Sequence, residues 1–184
     1  DRLDAAYGCS LGGACLTRLL ALDEISVGRA IIDGGITPYQ MPYLLRSLHL
    51  AVDVLSFKLA ANNRKVLETA FPPERFTLPG HDSVKEYDAI AAYLKTYSDR
   101  TIRNIFWSGN NYALPETSAA CSTKIAYWYG ADEKKDRKYN IRFIRRYFPQ
   151  IQLREFPNMA HAELVMIHPE EFCRHAEEFL NLEE

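Results

Sequence analysis

The opening of the chain combines a short apolar run with a helical pattern. Residues 3–7 are mostly apolar, and further apolar residues follow at helical spacing, at Leu11, Cys15, Leu19 and Leu22. Positions three or four residues apart share one face of a helix, whereas a short apolar run closed by glycine is typical of a buried strand. The pattern therefore predicts a strand, a tight turn and a helix.

The pattern of a buried strand returns three times further along the chain. Residues 29–33 are stopped by two glycines, residues 125–129 are β-branched and aromatic, and residues 151–156 alternate. Amphipathic helix patterns follow the last two of these strands, over 136–148 and from Pro169 onward. Strands that alternate with helices predict an α/β fold with a mainly parallel sheet and flanking helices.

Strand signals are sparse between the second and third of these strands. Helical periodicity appears instead over 43–61 and 83–97, and less clearly over 99–107. Ser83 with Glu86 three residues later predicts a capping box at the start of the second of these helices. We therefore expect a helical lid inserted between two core strands.

The predicted elements divide the chain into a core segment of residues 1–36, a helical lid insertion of 37–123 and a second core segment of 124–184. The lid and its approaches are rich in aromatic side chains, namely Tyr39, Phe57, Phe71, Phe76, Tyr87, Tyr93, Phe106, Trp107 and Tyr112. Such residues more often form a core than line a pocket. Those that face a cleft would favour an uncharged ester or an acyl chain.

Length and charge narrow the class of protein. The chain has 184 residues, 47% of them apolar, which is enough for a hydrophobic core. The net charge is −2, and the basic cluster of Arg142, Arg145 and Arg146 has the spacing of a solvated helix face, so we expect no nucleic-acid partner. No apolar run reaches the length of a membrane span, and the first residues lack a signal-peptide pattern.

The four cysteines, Cys9, Cys15, Cys121 and Cys173, show neither metal-ligand nor disulfide-scaffold spacing. We therefore expect a cytoplasmic protein that needs no cofactor and holds no metal. Cys9 is a potential nucleophile by its chemistry, but its place in the predicted turn favours buried packing.

Gly8, Ser10 and Gly12 form a G-x-S-x-G pattern between the first predicted strand and helix. A nucleophile at such a sharp turn needs neighbours without a Cβ, because strand and helix backbones pass close to each other. The backbone N–H of Leu11 would then lie at a helix N-terminus and could donate to an oxyanion. A turn of small residues with a buried serine is the alternative, and the flanking strand and helix favour the nucleophile.

The order of these features resembles the C-terminal half of an α/β-hydrolase. A Gly-x-Ser-x-Gly turn, a helical insertion, a strand with a glycine and an acid, and a strand with a histidine loop follow one another. In that family the catalytic triad runs nucleophile, acid, histidine along the chain. The resemblance implies Ser10 as nucleophile and His161, in the loop after the last strand, as general base. We expect His168 and His175 to be surface histidines.

The resemblance leaves three candidates for the acid. The family's acid usually lies three residues after the glycine that ends its strand, which here is Glu133, counted from Gly130. Asp132 is one position early and remains a close second, because a one-residue change in a turn re-aims both side chains. Asp33, after the second strand, lies where some members carry the acid, and it is the third candidate.

The resemblance implies a serine hydrolase that acts on a small or apolar carboxylic ester, a carboxylesterase with acyltransferase and thioesterase as related alternatives. The serine needs a histidine to take its proton, and the histidine needs a carboxylate to hold its tautomer. The competing hypothesis is a non-catalytic or incomplete protein of the same fold that binds a ligand or partner through the lid cleft.

The chain departs from the family in one respect. Strands that precede the serine turn in that family, and the loop that gives the second oxyanion donor, have no counterpart in this sequence. An uncovered strand edge invites pairing with another chain. We therefore expect the isolated polypeptide to be a poor hydrolase that self-associates or needs an N-terminal segment to complete its sheet.

Overall fold

The computed structural model describes residues 2–38, 41–115 and 122–181. These residues fall into two compact units, one made of the described parts of Asp1–Tyr39 and Tyr112–Glu184 and the other of Gln40–Asn111. Two residues singled out in the sequence, Tyr39 and Cys121, lie outside the described residues. The predicted three-segment division of the chain remains a prediction.

The first unit is built on a sheet of four strands, all parallel, in the order β1-β2-β3-β4. A short 3₁₀ turn, Ala131–Glu133, follows the third strand. Its strands and helices are β1 (Arg2–Cys9), α1 (Leu11–Leu22), β2 (Ser26–Asp33), β3 (Lys124–Gly130), α7 (Lys138–Tyr147), β4 (Gln152–Phe156), α8 (Glu163–Ile167) and α9 (Pro169–Leu180). The predicted α/β class and the four predicted strands are confirmed.

Helices cover both faces of this sheet. On one face Ile32 and Tyr127 pack in a buried cluster with Leu20 of α1 and Ile144 of α7. On the other face Ile31 and Trp128, the neighbours of those strand residues, pack with residues of α8 and α9. Successive strand residues point to opposite faces, so a strand that is buried on both sides has a continuous apolar run. This explains why residues 29–33 and 125–129 lack a polar alternation.

The first strand lies at an edge of the sheet in the described part of the chain. It pairs with β2 alone there, and most of its side chains are exposed, with Leu3 43% and Tyr7 40% accessible to solvent. Unpaired strand edges and exposed apolar side chains favour association. The predicted self-association, or completion of the sheet by another segment, remains a prediction.

The second unit is helical, and its helices follow β2 and precede β3 in the sequence. They are α2 (Tyr43–Asn62), α3 (Arg64–Ala70), α4 (Pro73–Phe76), α5 (Ser83–Leu94) and α6 (Asp99–Asn110). Sequence patterns predicted α2, α5 and α6. The helices α3 and α4 were not predicted, because segments of seven and four residues are too short to show helical periodicity.

The cap of α5 differs from the prediction. Asp82 is the N-cap, and its carboxylate accepts hydrogen bonds from the N–H groups of Val84 and Lys85, whereas Ser83 is the first helical residue. Glu86, the other half of the predicted capping box, contacts His81. The N-cap lies one residue before the predicted one, and the N3 residue is then Lys85, so the predicted capping box of Ser83 and Glu86 was wrong.

None of the helices described for residues 2–38, 41–115 and 122–181 is both long enough and apolar enough to cross a membrane.

Candidate functional site

The carboxyl ends of the parallel strands bring the predicted site residues to one edge of the sheet. Cys9, the last residue of β1, is paired with Asp33, the last residue of β2. The 3₁₀ turn with Glu133 follows β3, and the loop with His161 follows β4. Ligand sites of open parallel sheets lie at this edge. Residues separated by more than 150 positions thus reach one region of the fold.

Ser10 occupies a sharp and strained turn between β1 and α1. Its backbone angles are φ 53° and ψ −113°, in a region that residues with a Cβ rarely adopt. Such a conformation costs about 1–3 kcal/mol and persists where the surrounding structure enforces it. Here the N–H of Ser10 donates to the carbonyl oxygen of Asp33 at 2.8 Å, which ties the turn to the end of β2.

Glycines pack closely around this turn. Of the two glycines in the G-x-S-x-G pattern, only Gly8 is closely packed. A Cβ on Gly8 would lie 2.4 Å from the carbonyl oxygen of Gly12, and a Cβ on Gly13 would lie 2.6 Å from the Cα of Gly35. A Cβ on Gly12 itself would meet nothing within 4 Å. The steric requirement therefore falls on Gly8 and Gly13, and its extension to Gly12 was wrong.

Leu11 is the first residue of α1. The N–H groups of a helix's first turn have no acceptor within the helix, so they are available to an anion. Leu11 therefore has the position that an oxyanion donor next to Ser10 requires, and its role remains a prediction.

Glu133 and His161 form a hydrogen-bonded pair. Oε2 of Glu133 lies 2.8 Å from Nδ1 of His161, and Oε1 accepts the N–H of Gly130 at 3.1 Å. Glu133 is only 6% exposed, and burial acts to raise its pKa. The hydrogen bond with His161 and the electrostatic interactions with His161 and Arg137 outweigh burial, so the pKa of Glu133 is lowered. Glu133 is therefore an ionised carboxylate at neutral pH.

Asp132 has a different environment from that of its neighbour. It is exposed, and its N–H donates to the carbonyl oxygen of Met159 at 3.1 Å. The same turn thus presents Glu133 to His161 and leaves Asp132 at the surface.

Asp33 is buried beside the site, with 5% of its surface exposed. Its Oδ2 accepts the hydroxyl of Tyr7 at 2.8 Å. Burial raises the pKa of Asp33 to about 6; the Tyr7 hydrogen bond opposes the rise and the charge of Glu133 adds to it. Asp33 therefore titrates close to neutral pH.

Cys9 is partly buried, and its thiol is the second candidate nucleophile in this turn. Burial, together with the charge of Asp33, raises the pKa of Cys9 to about 12. The thiolate is the nucleophilic form of cysteine, so Cys9 stays an unreactive thiol at neutral pH.

Gly34 brings His161 close to the serine turn. It follows Asp33, whose carbonyl binds Ser10, and it has a φ of 53°. A Cβ on Gly34 would lie 2.6 Å from Cε1 and Nδ1 of His161 and 3.3 Å from Oε1 of Glu133. Gly34 thus leaves the space that the His161–Glu133 pair occupies. From the sequence, Gly34 was predicted only to end the second strand.

Two charged residues of the site were not recognised in the sequence. Arg137 donates from Nε to Oε2 of Glu133 at 2.6 Å, and Glu163 accepts the N–H of Ala160 at 2.7 Å and so closes the histidine loop. The spacing of Glu133 and Arg137, four residues apart, is that of an ion pair within one helical turn. That spacing could have identified Arg137, whereas nothing local indicated Glu163.

The prediction that His175 is a surface histidine was wrong. His175 lies within α9, is 8% exposed, and contacts Arg154 and Glu178. His168 is at the start of that helix and is more exposed.

Within residues 2–38, 41–115 and 122–181, no group of three or more His, Cys, Asp or Glu side chains is arranged to hold a metal ion.

The structure is similar to solved α/β-hydrolases. It matches a Desulfitobacterium hafniense protein assigned to the α/β-hydrolase family with a TM-score of 0.72 and 19% identity, over 98% of this chain and 70% of that one. It also matches an α/β-hydrolase enzyme from a Medee basin deep-sea metagenome library, with a TM-score of 0.69 and 13% identity, over 99% of this chain and 66% of that one. A third match is a structure from work on carboxylesterases of the thaumarchaeon Nitrososphaera gargenis. Its TM-score is 0.62 and its identity 16%, over 96% of this chain and 64% of that one.

No protein-family model matches the sequence, and no curated protein matches it. The chain spans between 64% and 70% of the length of these three structures. Likeness at 13–19% identity concerns the fold, and it agrees with a parallel sheet flanked by helices. The chain therefore has the α/β-hydrolase fold, of which it contains a large part.

Proposed function

We propose that the protein is a serine hydrolase that acts on a small or apolar carboxylic ester. The observation that carries the proposal is that the turn with Ser10 and the His161–Glu133 pair contact two adjacent residues, Asp33 and Gly34. Ser10 is hydrogen-bonded to Asp33, and the His161–Glu133 pair packs against Gly34. A nucleophile, an acid and a base, in that order along the chain and at one sheet edge, fit the logic of a catalytic triad.

The proposed chemistry assigns one role to each group. The Ser10 hydroxyl attacks the ester carbonyl while Nε2 of His161 takes its proton and then returns it to the leaving alcohol. Since Glu133 binds Nδ1, that nitrogen carries the proton and Nε2 is the free base. The N–H of Leu11 stabilises the oxyanion. Water then attacks the acyl carbon while Nε2 of His161 takes its proton. The bond to the Ser10 oxygen breaks as that oxygen receives the proton, and the carboxylic acid leaves.

The strained backbone of Ser10 supports its role as the nucleophile. Residues other than glycine with a strained backbone cluster at functional sites. At a strand-to-helix turn, such a backbone conformation exposes the serine hydroxyl. The raised pKa of Cys9 removes its neighbour as a competing nucleophile.

The substrate class rests on the helical unit and on the structural neighbours. That unit exposes large apolar side chains, among them Leu44, Leu48 and Tyr93, and neighbours of this fold include esterases. We propose that the unit acts as a lid that selects uncharged acyl groups. Hydrolysis of aryl esters of increasing acyl length should rise with the first carbons added, and a preference for charged acyl groups would contradict this proposal.

A fluorophosphonate probe tests the nucleophile on the complete protein. The probe should label Ser10, and Ser10→Ala should abolish both labelling and ester hydrolysis, because loss of a triad nucleophile lowers kcat by about a millionfold. Cys9→Ala is the matched control, since it removes the adjacent thiol and should leave labelling intact. Labelling of Cys9, or hydrolysis that survives Ser10→Ala, would overturn the proposal.

A further inference from the structure

The guanidinium of Arg137 contacts both members of the His161–Glu133 pair. Its Nε lies 2.6 Å from Oε2 of Glu133, and its Nη2 lies 3.0 Å from Nδ1 and 3.5 Å from Nε2 of His161. All three side chains are largely shielded from water, with 15% of the Arg137 side chain, 7% of Glu133 and 30% of His161 exposed. A charged side chain this close to the proposed base and acid influences the orientation of both and the charge of Glu133.

The two distances to the ring show how Arg137 meets His161. The ring nitrogens flank Cε1, so an atom in the ring plane at these two distances would overlap the ring carbons. Nη2 must therefore lie out of the ring plane, over one face of the imidazole. An arginine over the ring face leaves the in-plane Nδ1 proton to Glu133, so the two contacts are compatible.

We propose that Arg137 is a positioning residue that holds the carboxylate of Glu133 against Nδ1 of His161 and packs over one face of that ring. This inference rests on the proposed function of Ser10, His161 and Glu133. Arg137 makes two separate contacts, since Nε orients Glu133 and Nη2, over the ring face, limits rotation of the imidazole. A carboxylate fixed only by Gly130 and His161 would keep more freedom.

Arg137 also maintains the charge of Glu133. The ionisable groups that interact with Glu133 from neighbouring strands and loops are Cys9, Asp33 and His161. Burial favours the protonated acid, and Arg137 is one of the charges that lower the pKa of Glu133 against it. Loss of that charge should therefore raise the pKa of Glu133. A protonated acid cannot stabilise the imidazolium that forms during the reaction.

The position cannot be filled equally by lysine. A guanidinium has separate nitrogens for the bond to Glu133 and the contact with His161, whereas an ammonium is a single compact charge. Arg137→Lys should therefore keep the electrostatic effect on Glu133 and lose the second contact, with His161. Arg137→Gln should lose both.

The test compares Arg137→Gln and Arg137→Lys with Arg142→Gln, which removes an exposed charge from α7. Arg137→Gln should lower kcat about ten- to a hundredfold, the cost of a misplaced catalytic group, with KM unchanged. The acid side of its pH profile should move to higher pH. Arg137→Lys should restore the pH profile but only part of kcat, and Arg142→Gln should resemble the wild type. A folded Arg137→Gln with unchanged kcat and pH profile would overturn the inference.

A second measurement decides the inference without activity. A carbon NMR titration of the Glu133 carboxyl group should give a higher pKa in Arg137→Gln than in the wild type and in Arg142→Gln. An unchanged titration would overturn the inference about Arg137, and Arg137→Met, which also removes the charge, supplies the comparison if Arg137→Gln does not fold. Failure of Ser10 labelling would instead reject the proposed function and leave the titration result to stand.

Discussion

Nδ1 of His161 lies 2.8 Å from Oε2 of Glu133, although 28 residues separate them in the sequence. The bond joins the turn after β3 to the loop after β4, two adjacent parallel strands. In the proposed mechanism this bond fixes the tautomer of the imidazole, with the proton on Nδ1 and Nε2 left to act as the base. The first prediction concerns the carboxylate of this bond.

Glu133→Gln should lower kcat about ten-thousandfold, because an amide at this position mis-sets the histidine tautomer. Asp132→Asn is the matched control one residue away. Asp132 is exposed, and loss of an exposed charge changes activity little. Steady-state ester hydrolysis by the two variants measures the difference. If Asp132→Asn is the damaging change, Asp132 is the acid, and if neither variant loses activity, Asp33 is the next residue to change.

Gly34→Ala should strongly reduce activity, because the added methyl group would lie 2.6 Å from the ring of His161. Gly80→Ala is a control for backbone strain. Both glycines have a positive φ, but a Cβ on Gly80 meets nothing within 4 Å. Both variants should lose about 1 kcal/mol of unfolding free energy from strain, measured in urea. Equal activity of the two variants would show that His161 does not depend on the space at Gly34.

Gly8→Ala and Gly12→Ala should have opposite effects on stability. A Cβ on Gly8 would lie 2.4 Å from the carbonyl oxygen of Gly12, so strand and helix must separate, at a cost of roughly 1–3 kcal/mol for overpacking. Gly12 is inside α1 with open space around it, and alanine there should add up to about 1 kcal/mol through helix propensity. Thermal unfolding of the two variants measures both changes. Destabilisation by Gly12→Ala would show that the helix needs both glycines.

Asp33→Asn should stabilise the protein in a pH-dependent way. The pKa of Asp33 is raised to about 6 from its ordinary 3.8, so its contribution to stability is full below about pH 4 and is lost as the pH rises through 6. That rise corresponds to about 3 kcal/mol at most. The amide keeps an acceptor for the Tyr7 hydroxyl, so Asp33→Asn should exceed the wild type in unfolding free energy at pH 8 and match it near pH 4.

Urea unfolding at these two pH values measures the effect of Asp33. Asp4→Asn is the control, because Asp4 is a fully exposed aspartate of β1. Its stability difference from the wild type should be small at both pH values. A difference for Asp33→Asn that does not change with pH would contradict a raised pKa at Asp33.

The elements of the core were predictable because their signals are local. A continuous apolar run at 29–33 and an aromatic run at 125–129 can be satisfied only by strands covered on both faces, and the glycines after them end those strands. The turn at Ser10 was predictable for the same reason, since a glycine two positions before it sits where strand and helix backbones pass. Short helices such as α3 have no comparable periodicity and were missed.

The sequence by itself determined an α/β core with a serine turn after the first strand, an acidic turn after the third and a histidine loop after the fourth, because hydrophobic periodicity and turn residues act over a few positions. Only the tertiary structure decided that Glu133 is buried against His161, that Asp132 is exposed and that Arg137 joins the pair. Those relationships depend on the register of β3 against β4 and on the path of the loops that follow them. Side chains 24 and 28 residues apart meet there, and no local pattern encodes that distance.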